Sequence, residues 1–185
     1  MAKTIPVVVE TPQGARSKVE FDYGLGLLLL TKVLPAGLTF PLNFGSVPCT
    51  LADDDDPLDI LLFMSDAVPG GTLVETRPIG VLEANQTEDG ETVRNDRLFG
   101  VATESTEHRD LKTVKEIDGD RREEFERFFQ AYNAECGKVF EGLGWFGPKR
   151  AWKLIERARR RYRPPKDAGQ LPTRLSGFAS ALEDD

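Results

Sequence analysis

The chain has very little of the amino acids on which several common active sites depend. It contains a single histidine, His108, among 185 residues, which excludes His-rich zinc sites and His-Glu-x-x-His enzymes. No Gly-Lys-Ser/Thr phosphate loop is present, and Gly24 and Gly26 are followed by leucines instead of the third glycine of a dinucleotide-binding fingerprint. Any hydrolysis or group transfer by this chain would therefore depend on carboxylates, cationic side chains and bound metal ions.

Cysteines and long apolar segments are also scarce. Cys49 and Cys136 are too few for a disulfide framework, which fits a reducing compartment. No apolar run approaches the roughly 20 residues of a transmembrane helix. The first residues lack the apolar core of a signal peptide. We therefore expect a cytoplasmic protein without a membrane span.

The charge balance is negative, with 24 lysines and arginines against 31 aspartates and glutamates, or −7 in total. Nucleic acids and anionic membranes repel such a chain, so neither is an expected partner. Within residues 149–163, however, eight basic residues stand against one acid, and we predict that they form a solvated helix face. The length suits a single domain, predicted at 1–163 and followed by an extended or partly disordered tail at 164–185.

The first hundred residues predict strands separated by turns. Lys18–Phe21 alternates polar and apolar residues, and Ile60–Met64 is a short apolar run, as expected for a half-buried and a buried strand. Further strands are predicted at 73–84 and 98–103, joined by a polar, acidic loop.

The last third of the chain predicts two helices. Phe125, Phe128, Phe129 and Tyr132 follow the i, i+3, i+4, i+7 spacing of one helix face. The second helix is predicted to begin at Pro148. Strands followed by helices indicate an α+β fold that is mainly β.

Four consecutive aspartates, Asp53 to Asp56, precede Pro57 and Asp59. Buried without partners, such carboxylates would take up protons, so the segment is either a solvated loop or a site for hard divalent cations. We favour the metal site because Asp59 introduces a charge into an apolar strand and Pro57 stiffens the turn. Asp54, Asp56 and Asp59 have spacings that can converge on one point.

The pattern Asp54-x-Asp56-Pro57-x-Asp59-Ile60 resembles the signature of the soluble family I inorganic pyrophosphatases. The resemblance covers about residues 7–163. Five further blocks are similar to the family in the same order: Glu10-x-Pro12 with Lys18-x-Glu20, Phe40-Pro41-x-Asn43-Phe44-Gly45, Arg77-Pro78-Ile79-Gly80-Val81-Leu82, Phe128-Phe129-x-x-Tyr132, and Gly142-x-Gly144-Trp145.

This resemblance implies an OB-like five-stranded β-barrel with two flanking C-terminal helices. It implies hydrolysis of pyrophosphate to two phosphates with Mg²⁺, or with Mn²⁺ or another divalent cation in its place. It also implies a homo-oligomer, hexameric if the bacterial pattern of the family holds.

Carried over by position, the resemblance assigns roles to individual residues. Asp54 and Asp59 would bind metal, and Asp56 would assist the water nucleophile. Glu10 and Glu20 would surround the metals and their waters. The residues that would hold phosphate oxygens are Lys18, Lys32, Arg97 and Tyr132.

Several positions depart from the family pattern. Lys32 stands in place of an arginine and offers a point charge instead of a bidentate grip. Phe40 and Phe44 replace tyrosines and lose their hydroxyl donors. Asn133 replaces a lysine beside Tyr132.

The segment from Glu83 to Arg97 also departs from the family and is about four residues longer. In it, Asn95 falls where a metal-binding aspartate belongs. Asp96 is one residue out of register and would point to the other side of a strand, while Glu88 or Asp89 would stand for the other aspartate. Asp89 and Asp96 remain candidate metal ligands.

These departures leave three hypotheses open. The first is a divergent magnesium-dependent pyrophosphatase with reduced activity. The second is a metal-dependent hydrolase of another phosphate ester or anhydride, for which Phe40 and Phe44 would make the pocket more apolar. The third is a non-catalytic descendant that binds metal or phosphate.

Overall fold

The computed structural model describes residues 3–22 and 24–163, and the predicted tail at 164–185 lies outside them. The strands are β1 (Ile5–Thr11), β2 (Ser17–Asp22), β3 (Leu27–Val33), β4 (Asn43–Val47), β5 (Leu58–Phe63), β6 (Leu73–Glu88), β7 (Glu91–Arg94), β8 (Arg97–Ala102) and β9 (Val139–Phe146). The helices are α1 (Gly119–Ala134), α2 (Pro148–Arg161) and a short 3-10 helix (Val114–Glu116).

Five strands close into a ring. β1 pairs with β4, β4 with β5, β5 with β8, β8 with β6 and β6 with β1, and only the β5–β8 pair is parallel. β7 and β9 pair with the long β6, while β2 and β3 form a separate hairpin. The expected mainly β fold, with a five-stranded ring and two C-terminal helices, is confirmed.

β5 lies in the middle of the core. Leu61 and Phe63 enter a cluster beneath α1, whereas Ile60 and Leu62 enter a second cluster that includes α2, and all four are at most 6% exposed. A strand buried on both faces reads as a continuous apolar run, which explains its sequence. Burial of each side chain contributes roughly 1.5–3 kcal/mol, so β5 is a fixed platform for Asp59.

Both predicted helices are present. In α1, Phe125, Phe128 and Phe129 are buried as their spacing indicates. The Asp118 carboxylate accepts a hydrogen bond from the backbone N–H of Asp120 at 2.9 Å and caps the first turn. Gly137 follows the helix with φ 72°, where a residue with a Cβ would be strained. No helix in the described ranges is long and apolar enough to cross a bilayer.

The predicted loop between the strands at 73–84 and 98–103 is instead a β-hairpin. β6 continues to Glu88, and β7 begins at Glu91, directly opposite it. Asp89 and Gly90 form the turn with φ of 49° and 83°, the backbone geometry that Asp-Gly pairs favour in two-residue hairpins. The expectation of a loop was wrong because hydrogen bonding to β7 and β9 extends a polar strand that has little apolar periodicity of its own.

Candidate active site

Two adjoining cavities lie beside the acidic segment, with volumes of about 380 Å³ and about 160 Å³. Both are lined by Lys18, Glu20 and Asp56. The larger one also contains Asp54 and Arg97. The larger cavity is also lined by Gln86, Glu88, Asn95, Tyr132, Asn133, Cys136 and Lys138. The smaller cavity is also lined by Glu10, Phe44, Ser46 and Asp59. The structure thus brings most of the predicted site residues together.

The acidic turn is held in place by backbone geometry. Asp55 has φ 65°, a left-handed conformation that reverses the chain within the four aspartates. The Ala52 N–H donates to the carbonyl oxygen of Asp56 at 2.7 Å and closes this turn. Because Asp59 belongs to β5, where it pairs with Ser46 of β4, the turn and the strand direct their carboxylates to the same side of the ring.

Glu10, at the end of β1, is the most buried acid of the site, with 5% exposure. Its carboxylate accepts hydrogen bonds from the Ser46 hydroxyl at 2.7 Å and from the Phe21 N–H at 3.2 Å. Burial, aided by repulsion from Asp59 and Glu20, raises its pKa to about 7 in spite of these bonds.

The aspartates of the turn are affected in the same way. Burial, together with the charge of Asp59, raises the pKa of Asp54 to about 6. The pKa of Asp56 is also raised, first by burial and then by the charges of Asp59 and Glu20. This wall of the cavity therefore carries more negative charge than its protein neighbours neutralise.

Lys18 projects from β2 into both cavities. Its ammonium group is bonded to the Glu20 carboxylate and lies 5.6 Å from the centre of the Tyr132 ring. Burial alone would lower the pKa of Lys18, but the neighbouring Tyr132, Asp59 and Glu20 outweigh it and raise the pKa. Lys18 is therefore a permanently charged group, suited to a phosphate oxygen.

Arg97 supplies a second buried cation from the start of β8. Its Nη1 lies 2.6 Å from Oδ2 of Asp59, and its guanidinium carbon lies 5.2 Å from the centre of the Phe129 ring. The residue is only 3% exposed. Arg97 is thus fixed between a carboxylate and an aromatic face at the edge of the acidic group.

No three histidine, cysteine, aspartate or glutamate side chains of residues 3–22 and 24–163 stand close enough together to hold a metal ion. The chemistry of the donors nevertheless fits one, because carboxylate oxygens are the ligands that Mg²⁺ prefers. Burial, and then the charges of Asp59 and Glu20, raise the pKa values of Glu10 and Asp56, while burial and Asp59 raise that of Asp54, so a divalent cation would stabilise the ionised carboxylates.

Three predicted site residues do not line either cavity. The Lys32 ammonium group donates to the Glu135 carbonyl oxygen at 2.7 Å, at the end of α1, and lies 2.9 Å from Sγ of Cys136, which lines the larger cavity. Asp89 forms the tip of the β6–β7 hairpin and lines a separate surface cavity. Asp96 faces a different cleft, where it accepts hydrogen bonds from the Ala84 N–H at 3.0 Å and from Arg94 at 2.8 Å.

Sequence reasoning missed one cation of the larger cavity. Lys138, just before β9, lines it and pairs with Glu88 at 2.9 Å. Its position after Gly137 was the available signal, since a chain that turns at a helix end returns to the neighbouring sheet.

The Asn133 side-chain oxygen is buried without a hydrogen-bond partner among the described residues.

Phe40 and Phe44, the two positions without tyrosine hydroxyls, belong to the core. They are 2% and 4% exposed, with ring centres 5.4 Å apart. Phe40 also packs against Phe128 at 5.2 Å and Tyr132 at 5.9 Å. Tyr132 is therefore held by aromatic packing, and Phe44 gives the smaller cavity an apolar side.

The basic face of α2, predicted to be solvated, forms ion pairs with the rest of the protein. Arg157 and Arg161 both bond to the Asp53 carboxylate, and Arg161 also reaches Asp55 at 3.5 Å. The cations of α2 thus pair with Asp53 and Asp55, and all four aspartates of the turn line the larger cavity.

The fold and the cavity together define a class. This is a mainly β protein in which uncompensated carboxylates face fixed cations across one cavity, as expected where a divalent cation and a phosphate group are bound together.

Comparison with known proteins identifies the family. The family model described as inorganic pyrophosphatase matches residues 7–163. The inorganic pyrophosphatase of Geobacillus stearothermophilus is 33% identical over 164 residues, covering 89% of this chain and 97% of the relative. That of Synechocystis is 32% identical over 162 residues, covering 88% and 94%. The chain belongs to the inorganic pyrophosphatase family.

Solved structures agree with this assignment. The inorganic pyrophosphatase from Thermus thermophilus is 30% identical with a TM-score of 0.77, covering 86% of this chain and 91% of that one. The one from Coxiella burnetii is 28% identical with a TM-score of 0.79, covering 88% and 98%. The predicted family, its OB-like fold and its class of hydrolase are confirmed.

Proposed function

We propose that the cavity hydrolyses inorganic pyrophosphate to two phosphates with Mg²⁺ as its cofactor. The observation that carries this proposal is that the acidic turn, Lys18 and Arg97 line one cavity. Pyrophosphate carries several negative charges and needs cations on more than one side.

Asp54 and Asp59 would hold the divalent cation, with Glu10 and Glu20 around it. When bound, Mg²⁺ supplies Lewis acidity that polarises phosphate oxygens and acidifies a water molecule. The oxygen-only donor set suits Mg²⁺, and Mn²⁺ accepts the same ligands.

Asp56 is the group that accepts the proton of the attacking water. It lies between the two cavities, and burial and neighbouring charges raise its pKa above the usual aspartate value. A carboxylate with a raised pKa is, in its ionised form, a stronger base than an ordinary aspartate.

Lys18, Arg97 and Tyr132 would face the phosphate oxygens. Lys18 and Arg97 neutralise charge that pyrophosphate carries in the ground state and redistributes in the transition state. Lys138 adds a cation at the same cavity, whereas Lys32 stays outside its lining.

Phosphate release from pyrophosphate with Mg²⁺ tests the proposal. Asp56→Asn keeps the shape of the side chain and removes the base, so we expect a loss of about a hundred-fold to ten-thousand-fold in kcat. Asp110→Asn, a change of the same kind at a side chain that is 97% exposed, should leave kcat unaltered. Equal activity of the two variants would contradict the assignment of Asp56.

A second candidate substrate is an organic phosphate ester or anhydride, favoured by the apolar side that Phe44 gives the smaller cavity. A panel of phosphate compounds separates the two functions, because the main proposal requires pyrophosphate to be the best substrate by a wide margin. Absence of turnover of every compound, also with Mn²⁺, would leave the non-catalytic hypothesis.

We further propose that residues 1–163 form one domain, that 164–185 is a tail, and that the chain acts in the cytoplasm as a homo-oligomer. The family match at 7–163 supports these proposals. Light scattering of the full chain measures the oligomer, for which the sequence-based expectation is a hexamer, and a single mass equal to one chain would contradict it.

A further inference from the structure

The two walls of the larger cavity differ in chemistry. One wall, beside Asp59, is formed by β6, β8 and the residues that join β7 to β8, which contribute the polar side chains of Gln86, Glu88, Asn95 and Arg97. The Asn95 amide donates to the Gln86 side-chain oxygen at 3.2 Å, so these two amides satisfy each other. Among the described residues of this wall, Glu88 is the only carboxylate, and Lys138 already neutralises it.

Arg97 is held firmly in this wall. Besides Asp59 at 2.6 Å, its Nη1 contacts the Asn95 side-chain oxygen and the Asp96 carbonyl oxygen at 3.4 Å. The Phe129 ring covers one face of the guanidinium. Its Nε is buried and has no hydrogen-bond partner within the described ranges, so one donor is left for another group.

Asp96, which directly precedes Arg97, points away from the larger cavity. Asp96 lines the cleft that also contains Asp53, Arg157 and Arg161. There it is paired with Arg94 at 2.8 Å. The β6–β8 wall therefore offers a divalent cation no uncompensated carboxylate.

We propose that Arg97 acts as a built-in cation on this wall and confines the divalent cations to the side of the cavity formed by Asp54, Asp56 and Glu20. Arg97 occupies one oxygen of Asp59, and its charge repels a divalent ion on the β8 side. For partly buried charges, Coulomb repulsion between Arg97 and a nearby divalent ion should raise the dissociation constant of that ion by about tenfold or more. The inference deepens the proposed function, because the same cavity holds the metal and the phosphate.

Calorimetric titration with Mn²⁺ alone, without substrate, tests this inference. Replacing Arg97 in Arg97→Gln frees Asp59, so Mn²⁺ should bind at least about tenfold more tightly than to the unchanged protein. The double variant Asn95→Asp/Arg97→Gln adds a carboxylate and should bind one more Mn²⁺ per chain. Arg127→Gln, an exposed arginine with the same charge change, is the matched control and should bind as the unchanged protein does.

Circular dichroism shows whether Arg97→Gln folds. If it does not, two further variants keep the inference testable. Asn95→Asp alone should gain no Mn²⁺, since Arg97 would neutralise the new carboxylate, and Arg97→Lys should retain the original stoichiometry. An extra Mn²⁺ in Asn95→Asp alone, or unchanged Mn²⁺ binding in folded Arg97→Gln, overturns the inference. Because no substrate is present, these results do not depend on whether the protein hydrolyses pyrophosphate.

Discussion

The acidic turn and the β6–β8 wall line the same cavity but differ in how their charges are balanced. In the acidic turn, burial and mutual repulsion raise the pKa values of Asp54 and Asp56. On the other wall, Glu88 is paired with Lys138 and Arg97 is bonded to Asp59, while Asp96 faces a different cleft, where it pairs with Arg94. One wall is thus prepared for a cation, and the other already contains its own.

The comparison shows that the site depends on which carboxylates are left unpaired. Asp53 to Asp56 form one run of aspartates. Within it, Arg161 of α2 pairs with Asp53 and Asp55. Of the four aspartates that line the larger cavity, Asp53 and Asp55 thus also hold the turn against α2.

Loss of Lys18 should have the largest effect among changes that alter the balance between the walls. Lys18→Met keeps much of the apolar stem and removes the buried charge, so kcat should fall by about a hundred- to thousand-fold. Lys115→Met, at an exposed position on the short 3-10 helix, is the control and should retain activity. Steady-state assays of both with pyrophosphate measure the difference, and equal rates would contradict a role for Lys18 at phosphate.

Releasing the acidic turn from α2 should have an intermediate effect. Arg157→Gln/Arg161→Gln removes both partners of Asp53, so the turn loses its anchor and Asp53 adds an unpaired charge. We expect the Mg²⁺ concentration at half-maximal rate to change by roughly tenfold, with a smaller change in kcat. Arg159→Gln/Arg160→Gln on the same helix is the matched control, and an equal effect of both double variants would show that only net charge matters.

Metal-free stability should depend on pH in the direction that the acidic wall dictates. The pKa of Glu10 is raised to about 7 from 4.5 and that of Asp54 to about 6 from 3.8. Between those values the folded state binds more protons than the unfolded state, so the free energy of unfolding decreases as pH rises. The decrease is complete above about pH 7 for Glu10.

Melting temperatures of metal-free protein at about pH 5.5 and about pH 8 measure this effect. Glu10→Gln should reduce the loss of stability between the two, and Mg²⁺ should restore more stability at the higher pH, where the carboxylates are ionised. If the melting temperature of Glu10→Gln depends on pH as that of the unchanged protein does, the raised pKa of Glu10 is not a cause of the loss of stability.

Much of the fold was predictable because its signals are local. The continuous apolar run of β5 and the aromatic spacing of α1 follow directly from the period of each element. β4, β7 and β9 were not predicted as strands, since their sequences contain glycines or charges and become strands by pairing with β5 and β6. Hydrogen bonds between distant segments leave no periodic pattern in either one.

The site was predictable where its residues follow one another in the chain. Asp54, Asp56 and Asp59 come from one turn and strand, so their spacing determines where they meet. The position of Lys32 was not predictable, because it depends on the register of β2 against β3, where Lys32 lies opposite Lys18. Two like charges at opposite positions repel, and Lys32 turns to the end of α1 while Lys18 turns to Glu20.

The most direct test of the two-walled site compares Asp54 of the acidic turn with Asp96, which directly precedes β8. Asp54 faces the cavity, whereas Asp96 faces the cleft behind it and pairs with Arg94. Pyrophosphate hydrolysis should be measured against Mg²⁺ concentration for Asp54→Asn and Asp96→Asn. We predict about a hundred-fold loss of kcat or of apparent Mg²⁺ affinity in Asp54→Asn, the scale on which removal of a group at a metal site lowers affinity or activity, and nearly full activity in Asp96→Asn. Equal losses in the two variants, or a larger loss in Asp96→Asn, would contradict the account.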